Sequence, residues 1–436
     1  MIRRSIPILS ILLLVSAGAA EERGPLTLQA AIERAQGVAP KIRRLRALES
    51  AAHASSSVAR GGRWPSVNAS AGYARYSDVP SLTANFGNGP VALFPNLPNN
   101  YRTRVEGSVP LFTGGKLSSA IAAARNQESS AEQERESSTA DLTLETTVAY
   151  WGLVTAAESE TVLSAAVASY DGHLKDAENR ARIGMAARND VLAVSVERDQ
   201  AELSLIQARD ETAIARANLL RLLDYGTSDA VEPSDRLDPV PAHTPPLEES
   251  IRKALESRAD RKAAASRLAA ANETTGIARS VWWPQISAVA GYDYARPNRR
   301  IVPNTDEFKG SWDAGINLTL NLFEGGRTRA GIDQAEAQAE ATRAQLAELD
   351  QRIRFEVSAR LSDLQSANAA IPVALRNVES ATENLKVSQN RYRAGVIPSS
   401  ELLDAETALL RAGLLKVDVL ARIRVTQAQF ERTIGE

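Results

Sequence analysis

With 436 residues the chain exceeds what one ordinary hydrophobic core organises, so it holds several domains or one extended repeat architecture. Hydrophobic residues at 44% and charged residues at 24% exclude both a disordered chain and a helical membrane bundle, while aromatics at only 5% beside abundant Ala favour long helices in close contact. Lys plus Arg at 51 against Asp plus Glu at 53 leaves no basic footprint for nucleic acid, and the absence of Cys excludes disulfides, thiolate metal sites and Cys nucleophiles. His53, His173 and His243 lie far apart and belong to no ligand or catalytic motif, so each reads as a surface helix or loop residue. No catalytic, metal or cofactor site emerges, and no enzyme is expected.

At the N-terminus, Arg3 and Arg4 precede the apolar run Ile6 to Val15, and Ala17-Gly18-Ala19-Ala20 offers small residues for cleavage, so residues 1–20 read as a secretory signal peptide. An N-terminal anchor is the weaker reading, because the run is well short of the ~20 residues a spanning helix needs. Beyond it no window of spanning length is free of charges. If the exported chain enters a membrane, it does so as strands.

The remainder repeats itself once. Trp64-Pro65 through Ala71-Gly72-Tyr73 returns as Trp283-Pro284 through Ala290-Gly291-Tyr292, and Leu111-Phe112-Thr113-Gly114-Gly115-Lys116 returns as Leu322-Phe323-Glu324-Gly325-Gly326-Arg327. The period is about 215 residues, far longer than that of solenoid repeats. Two structural repeats, 21–223 and 247–436, are therefore expected, joined by a linker over 224–246 whose five prolines stop any helix. Each repeat opens with a helical stretch, Leu26 to Gly61 and Leu247 to Ser280. Strand hairpins follow over 64–112 and 283–323, where period-two alternation is clearest in Trp312, Ala314, Ile316, Leu318, Leu320 and Leu322 against Asp313, Gly315, Asn317, Thr319 and Asn321. Aromatics bound these strands of about ten residues: Trp64 and Tyr73, Tyr101 and Phe112, Trp283 and Tyr292, Trp312 and Phe323. A soluble sheet packed on a helix layer explains the alternation equally well; the aromatic ends and the leader favour a membrane. The segments Asp78 to Asn100 and Arg296 to Phe308 read as exposed loops.

Heptad spacing then runs through long helices over 115–182 and 326–393, roughly 100 Å each at ~1.5 Å per residue. In the second, Ile332 to Ile353 is followed by a four-residue slip, after which Val357, Leu361, Leu364, Asn368, Ile371, Leu375, Val378, Thr382, Leu385, Gln389 and Tyr392 continue the seam, with Pro372 as a kink or a break. Short turns lead to returning helices over 189–223 and 398–434, the latter with a seam of Val419, Ile423, Thr426, Phe430 and Thr433.

Four strands cannot close a barrel, so the chain must assemble; two copies give a filled lumen, whereas three give room for water, and the small, polar inner faces suit three. Duplicated hairpins opening into Leu-Phe-x-Gly-Gly-Lys/Arg, heptad rods, and turns containing Arg-Ile-Gly and Arg-Ala-Gly resemble the TolC-like outer-membrane efflux protein family over nearly the whole chain. The resemblance implies a mainly α protein with a membrane β-barrel: a homotrimer with a twelve-stranded barrel in outer-membrane lipid and a coiled-coil α-helical tunnel reaching into the periplasm. It implies partnership with a periplasmic adaptor (membrane fusion) protein and with an inner-membrane pump or ABC exporter. It also implies a tunnel constriction at Glu401 and Asp404, an aperture network at Asn189 and Asp190, and adaptor contact at Gly184, Met185, Gly395 and Val396. Carboxylates near a helix N-terminus and glycines in a turn have ordinary structural reasons as well. Ile397 stands where better-known members carry a latching Arg, which Arg188 or Arg393 would replace. Passive export in a tripartite efflux or type I secretion system is the expected function, and a secreted coiled-coil or filament protein is the competing class. With Met1 and Met185 the only methionines, the sequence gives little support for a thioether-lined copper route.

Overall fold

The computed structural model describes residues 26–436 apart from 86, 88, 227, 228, 230 and 303; the expected leader lies outside the described residues. In chain order the elements are α1 (Leu28–Val38), α2 (Pro40–Gly61), β1 (Ser66–Arg75), β2 (Leu82–Asn85), β3 (Pro90–Phe94), β4 (Asn99–Phe112), α3 (Lys116–Arg182) and α4 (Arg188–Leu222). There follow α5 (Leu247–Ser257), α6 (Ala259–Arg279), a single 3-10 turn at Ser280–Trp282, β5 (Gln285–Arg296), β6 (Lys309–Thr319), α7 (Arg327–Arg393) and α8 (Ser399–Ile434). The fold is mostly helical with a small sheet. Two compact units divide it, each drawn from both halves of the sequence: the described part of Met1–Arg43 with Ser138–Ala254 and Glu356–Glu436, and Arg44–Ser137 with Leu255–Phe355.

Several expected elements are divided or displaced. The helix expected from Leu26 to Gly61 breaks at Ala39, whose extended ψ of 123° is imposed by Pro40, the first residue of α2. The one expected from Leu247 to Ser280 breaks at Arg258, which has the same extended ψ of 123° and turns its guanidinium onto Asp260 at 2.7 Å. The segment Asp78 to Asn100, expected as loop alone, contains the small antiparallel β2–β3 ribbon. Strand β6 ends at Thr319, short of Leu322.

In the first unit α7 and α8 pack along a continuous apolar seam of Leu361, Leu364, Ala367, Ile371 and Ala374 against Val419, Leu420, Ile423, Phe430 and Ile434. Of the α8 residues, Val419, Ile423 and Phe430 are those the heptad predicts, Thr426 and Thr433 are buried beside them, and Leu420 and Ile434 widen the seam. On α7 the buried series runs Leu364, Ala367, Ile371, Ala374, Ala381, Ser388 and Tyr392, so Ala367, Ala374, Ala381 and Ser388 occupy seam positions expected for Asn368, Leu375, Thr382 and Gln389. Small side chains won those places because the seam follows the facing helix, and apolarity alone does not fix it within one residue. Pro372 lies inside α7 on its exposed side without ending the helix.

The proline-rich linker is strapped to this unit. Leu26 N–H donates to Glu232 O at 2.9 Å, Ser234 N–H donates to Leu26 O at 3.0 Å, and Asn368 exchanges two hydrogen bonds with the Ala242 backbone. Tyr150, fully buried on α3, shares its phenolic hydrogen between Asp235 Oδ2 at 2.6 Å and Leu26 O at 2.8 Å. Burial, reinforced by the Asp235 carboxylate, pushes the phenol up to about 12. A raised phenol pKa means the folded chain favours the neutral form, so this contribution is complete below about pH 10 and fades as the pH climbs from 10 through 12. Tyr150→Phe is expected to lower stability by about 1–3 kcal/mol at neutral pH and to flatten the alkaline limb of the pH–stability curve, both read by urea unfolding followed by circular dichroism. An unchanged alkaline limb would count against the phenol's role.

In the second unit the sheet order is β1-β4-β5-β6, antiparallel throughout, so β4 of the first half lies beside β5 of the second. Gly114 fits beneath the start of β5 only as glycine: its φ is +58°, and a Cβ there would lie 2.3 Å from Trp283 Cβ. The Gly-Gly pair of the first half thus seats the Trp-Pro of the second. Among the described residues both β1 and β6 are edge strands, leaving one side of each without a strand partner.

Candidate functional site

The two helix-connecting turns are built alike. Gly184 and Gly395 take φ of +77° and +73°; Met185 N–H donates to Arg180 O at 2.8 Å and Val396 N–H to Arg391 O at 2.9 Å, each pairing the backbone groups that a helix end leaves free. Met185 and Val396 are thereby held exposed at the turns. Asn189 is exposed at the start of α4, and Asp190 turns back to accept the Ala187 N–H at 3.3 Å, one half of a capping box. On α8, Glu401 pairs with Arg391 at 3.1 Å, and Asp404 is exposed one turn further on. Ile397 is buried with Tyr392 and Leu402.

Beside these turns the structure corrects the reading of His173. It is 4% exposed, with Nδ1 2.8 Å from Glu406 Oε2 and Nε2 2.9 Å from Ser399 Oγ. A carboxylate only accepts, so Nδ1–H donates to Glu406, which is itself 6% exposed and also accepts from Ser169 Oγ at 2.8 Å. Nε2 meets the hydroxyl of Ser399, the first residue of α8. Two turns further along α3, Arg180 stacks on the Tyr392 ring at 4.3 Å and donates to Tyr392 O at 2.9 Å and Arg393 O at 3.2 Å, satisfying the end of α7. Nearby, burial raises the Tyr170 phenol. Within one chain, the cations that meet the α7–α8 turn are therefore Arg180 and Arg391. One sequence signal was available: Tyr170, His173 and Ala177 keep seam spacing on α3, and His53 and His243, by contrast, are exposed.

The sheet of the second unit divides its side chains by chemistry. Register places Tyr73 opposite Tyr101, Val105 opposite Tyr292, Ala288 opposite Ile316 and Tyr292 opposite Trp312, so one face is apolar across all four strands. The other carries Asn68, Ser70, Arg102, Arg104, Glu106, Ser108, Asp293, Asp313, Asn317 and Thr319. Trp64, Tyr73, Tyr101, Phe112, Trp283, Tyr292, Trp312 and Phe323 are all exposed in this chain. Strand β5 continues past Tyr292 to Arg296, so Tyr292 does not end it; Tyr294, stacked on Phe308 at 5.3 Å, is the aromatic nearer its end. Among the described residues no helix is long and apolar enough to cross a membrane, and no group of acidic and His residues is arranged to hold a metal.

Comparison with known proteins gives this architecture its relatives. The outer membrane efflux protein family model matches residues 31–224 and 250–436. Protein CyaE of Bordetella pertussis is 28% identical over 334 residues, covering 75% of this chain and 69% of that protein. Outer membrane protein OprJ of Pseudomonas aeruginosa is 27% identical over 223 residues, covering 50% of this chain and 45% of that protein. The crystal structure of the outer membrane protein VceC of Vibrio cholerae aligns with a TM-score of 0.80 at 21% identity, covering 94% of this chain and 96% of that one, a likeness of fold. With both segments of its duplicated architecture matched, the chain belongs to the outer membrane efflux protein family, as an outer-membrane channel protein of an efflux system.

Proposed function

We propose that three copies of this chain close a twelve-stranded barrel and a twelve-helix periplasmic tunnel for passive export, coupled through a periplasmic adaptor protein to an inner-membrane pump or ABC exporter. The observation that carries this reading is the sheet: four strands with one apolar face, one polar face and two open edges need lipid on one side, water on the other and further strands at both rims. Exposed Leu192, Val196, Leu203, Ile206 and Ile214 along α4 support burial of that helix against further protein. The repeats 21–223 and 247–436 each supply one strand hairpin and one long and one short tunnel helix.

Within this reading Met185 and Val396, held outward by their glycine turns, meet adaptor hairpins, while Glu401 and Asp404 constrict the passage, with Asn189 and Asp190 in the closing network. Six carboxylates from Glu401 and Asp404 would surround one axis and favour cations. Glu401→Gln with Asp404→Asn is expected to weaken block by multivalent cations and to lower cation selectivity in planar-bilayer conductance. Block and selectivity identical to the parent channel would remove these residues from the constriction.

A further inference from the structure

The polar face of the sheet carries charge only toward the end where β1 leads into β2 and β5 into β6. Arg104 of β4 donates from Nη1 to Asp293 Oδ2 at 2.5 Å and to Asp313 Oδ1 at 2.9 Å, from Nη2 to Asp313 Oδ2 at 3.2 Å, and from Nε to Glu106 Oε2 at 2.8 Å. Arg102 Nε donates to Asp293 Oδ1 at 2.7 Å, and Arg300, from the segment joining β5 to β6, lies 3.0 Å from Asp313. Three guanidinium groups and three carboxylates thus cancel. Toward the other end the same face presents Ser108, Ser287, Val289, Gly315, Asn317 and Thr319, none of them charged.

Reaching from β4 over β5 to β6 takes Arg104 across two strand spacings, about 10 Å. A glycine makes room for it. Gly291 stands between Glu106 and Asp313 in register, and a Cβ there would lie 2.5 Å from Arg104 Nη2. The side chains of Arg104 and Asp293 are consequently only 17% and 7% exposed although their face is polar. The guanidinium lies flat on the sheet, locked bidentate to Asp313, in a geometry that lysine cannot reproduce.

We propose that the Arg104 bridge is an ion-selectivity determinant of the barrel lumen, a charge-cancelled collar repeated in each protomer and separate from the carboxylates of the tunnel constriction. The proposal rests on the reading that three chains close the sheet with its polar face inward. As wired, the collar adds no net charge to the passage. Losing Arg104 unmasks one negative charge per protomer, and losing the Asp313 carboxylate unmasks one positive charge. Three such charges some 10 Å from the axis, screened by ~0.1 M salt, change the cation-to-anion permeability ratio by about twofold.

The test uses full-length trimers in phosphatidylcholine planar bilayers under a KCl gradient, in a Glu401→Gln/Asp404→Asn background so that constriction carboxylates do not act in series. Arg104→Gln is expected to move the reversal potential toward potassium and Asp313→Asn toward chloride, each by about that twofold ratio. Arg104→Gln combined with Asp313→Asn restores cancellation and should return the ratio to that of the background; a purely structural bridge would instead leave the double variant at least as perturbed as the worse single one. Conducting channels whose ratio is unmoved by both single changes, or moved in one direction by both, overturn the collar. A background protein that forms no channel overturns the barrel reading beneath it. Should Arg104→Gln fail to fold, the chloride shift of Asp313→Asn alone decides.

Discussion

Ile316→Arg is expected to prevent insertion of the chain into lipid, whereas Asn317→Arg, one residue further along β6, is expected to leave insertion intact. Ile316 lies on the apolar face, opposite Ala288, in the stretch between Trp312 and Phe323. An arginine facing hydrocarbon near the middle of a membrane strand costs about 2–4 kcal/mol, and a trimer would meet that cost three times. Asn317 projects from the other face, opposite Ser287, where a charge meets water. Folding of each variant into phospholipid vesicles, followed by urea titration and by the migration of unheated protein in detergent gels, separates the two. Equal behaviour of the neighbours would end the assignment of faces, and the proposed barrel with it.

A second large effect is expected at His173. His173→Leu leaves the Glu406 carboxylate buried with Ser169 as its remaining partner, and depriving a buried charged acceptor of a hydrogen-bond donor costs about 3 kcal/mol. Joining Glu406→Leu to the first change removes the stranded carboxylate, so the double variant should recover most of the loss. Leucine at both places would also extend the seam between α3 and α8, beside Leu402 and Ala405. Urea unfolding of the two single variants and the double variant supplies the complete cycle. If the losses simply add, the two side chains act independently and the contact holds nothing together. A double variant as stable as the parent but altered in conductance would locate the value of the pair in channel behaviour.

Much of this architecture was legible because two signals are strictly periodic. Alternation along β6 named the apolar set before any register was known, and heptad spacing named Val419, Ile423, Phe430 and Thr433 as the buried face of α8. What could not be read depended on partners far away in sequence. The α7 seam runs through Ala367 and Ala374, beside more apolar neighbours such as Leu375, because the facing helix decides which small side chain is enclosed. His173 looked like a surface residue because Glu406 and Ser399, which satisfy it, lie on another helix. Arg104 was not singled out in the sequence, because its reach to Asp313 depends on Gly291, two strands being needed to see the gap between them. At the proposed constriction, Glu401 and Asp404 could be named from resemblance, whereas the cation that meets Glu401 inside the chain, Arg391, follows only from how the turn folds.

The bare rims of β1 and β6 also bear on how such a channel is made. A solitary copy has no resting place in hydrocarbon, since every unmatched amide or carbonyl group along those rims would cost several kcal/mol there. In the proposed trimer, entry into the bilayer and meeting with sister copies are therefore one event. Its rate should rise more steeply than linearly with the number of chains waiting at the membrane surface, and scarcity of the newly exported chain, rather than slow folding of any single copy, would limit how quickly pores appear.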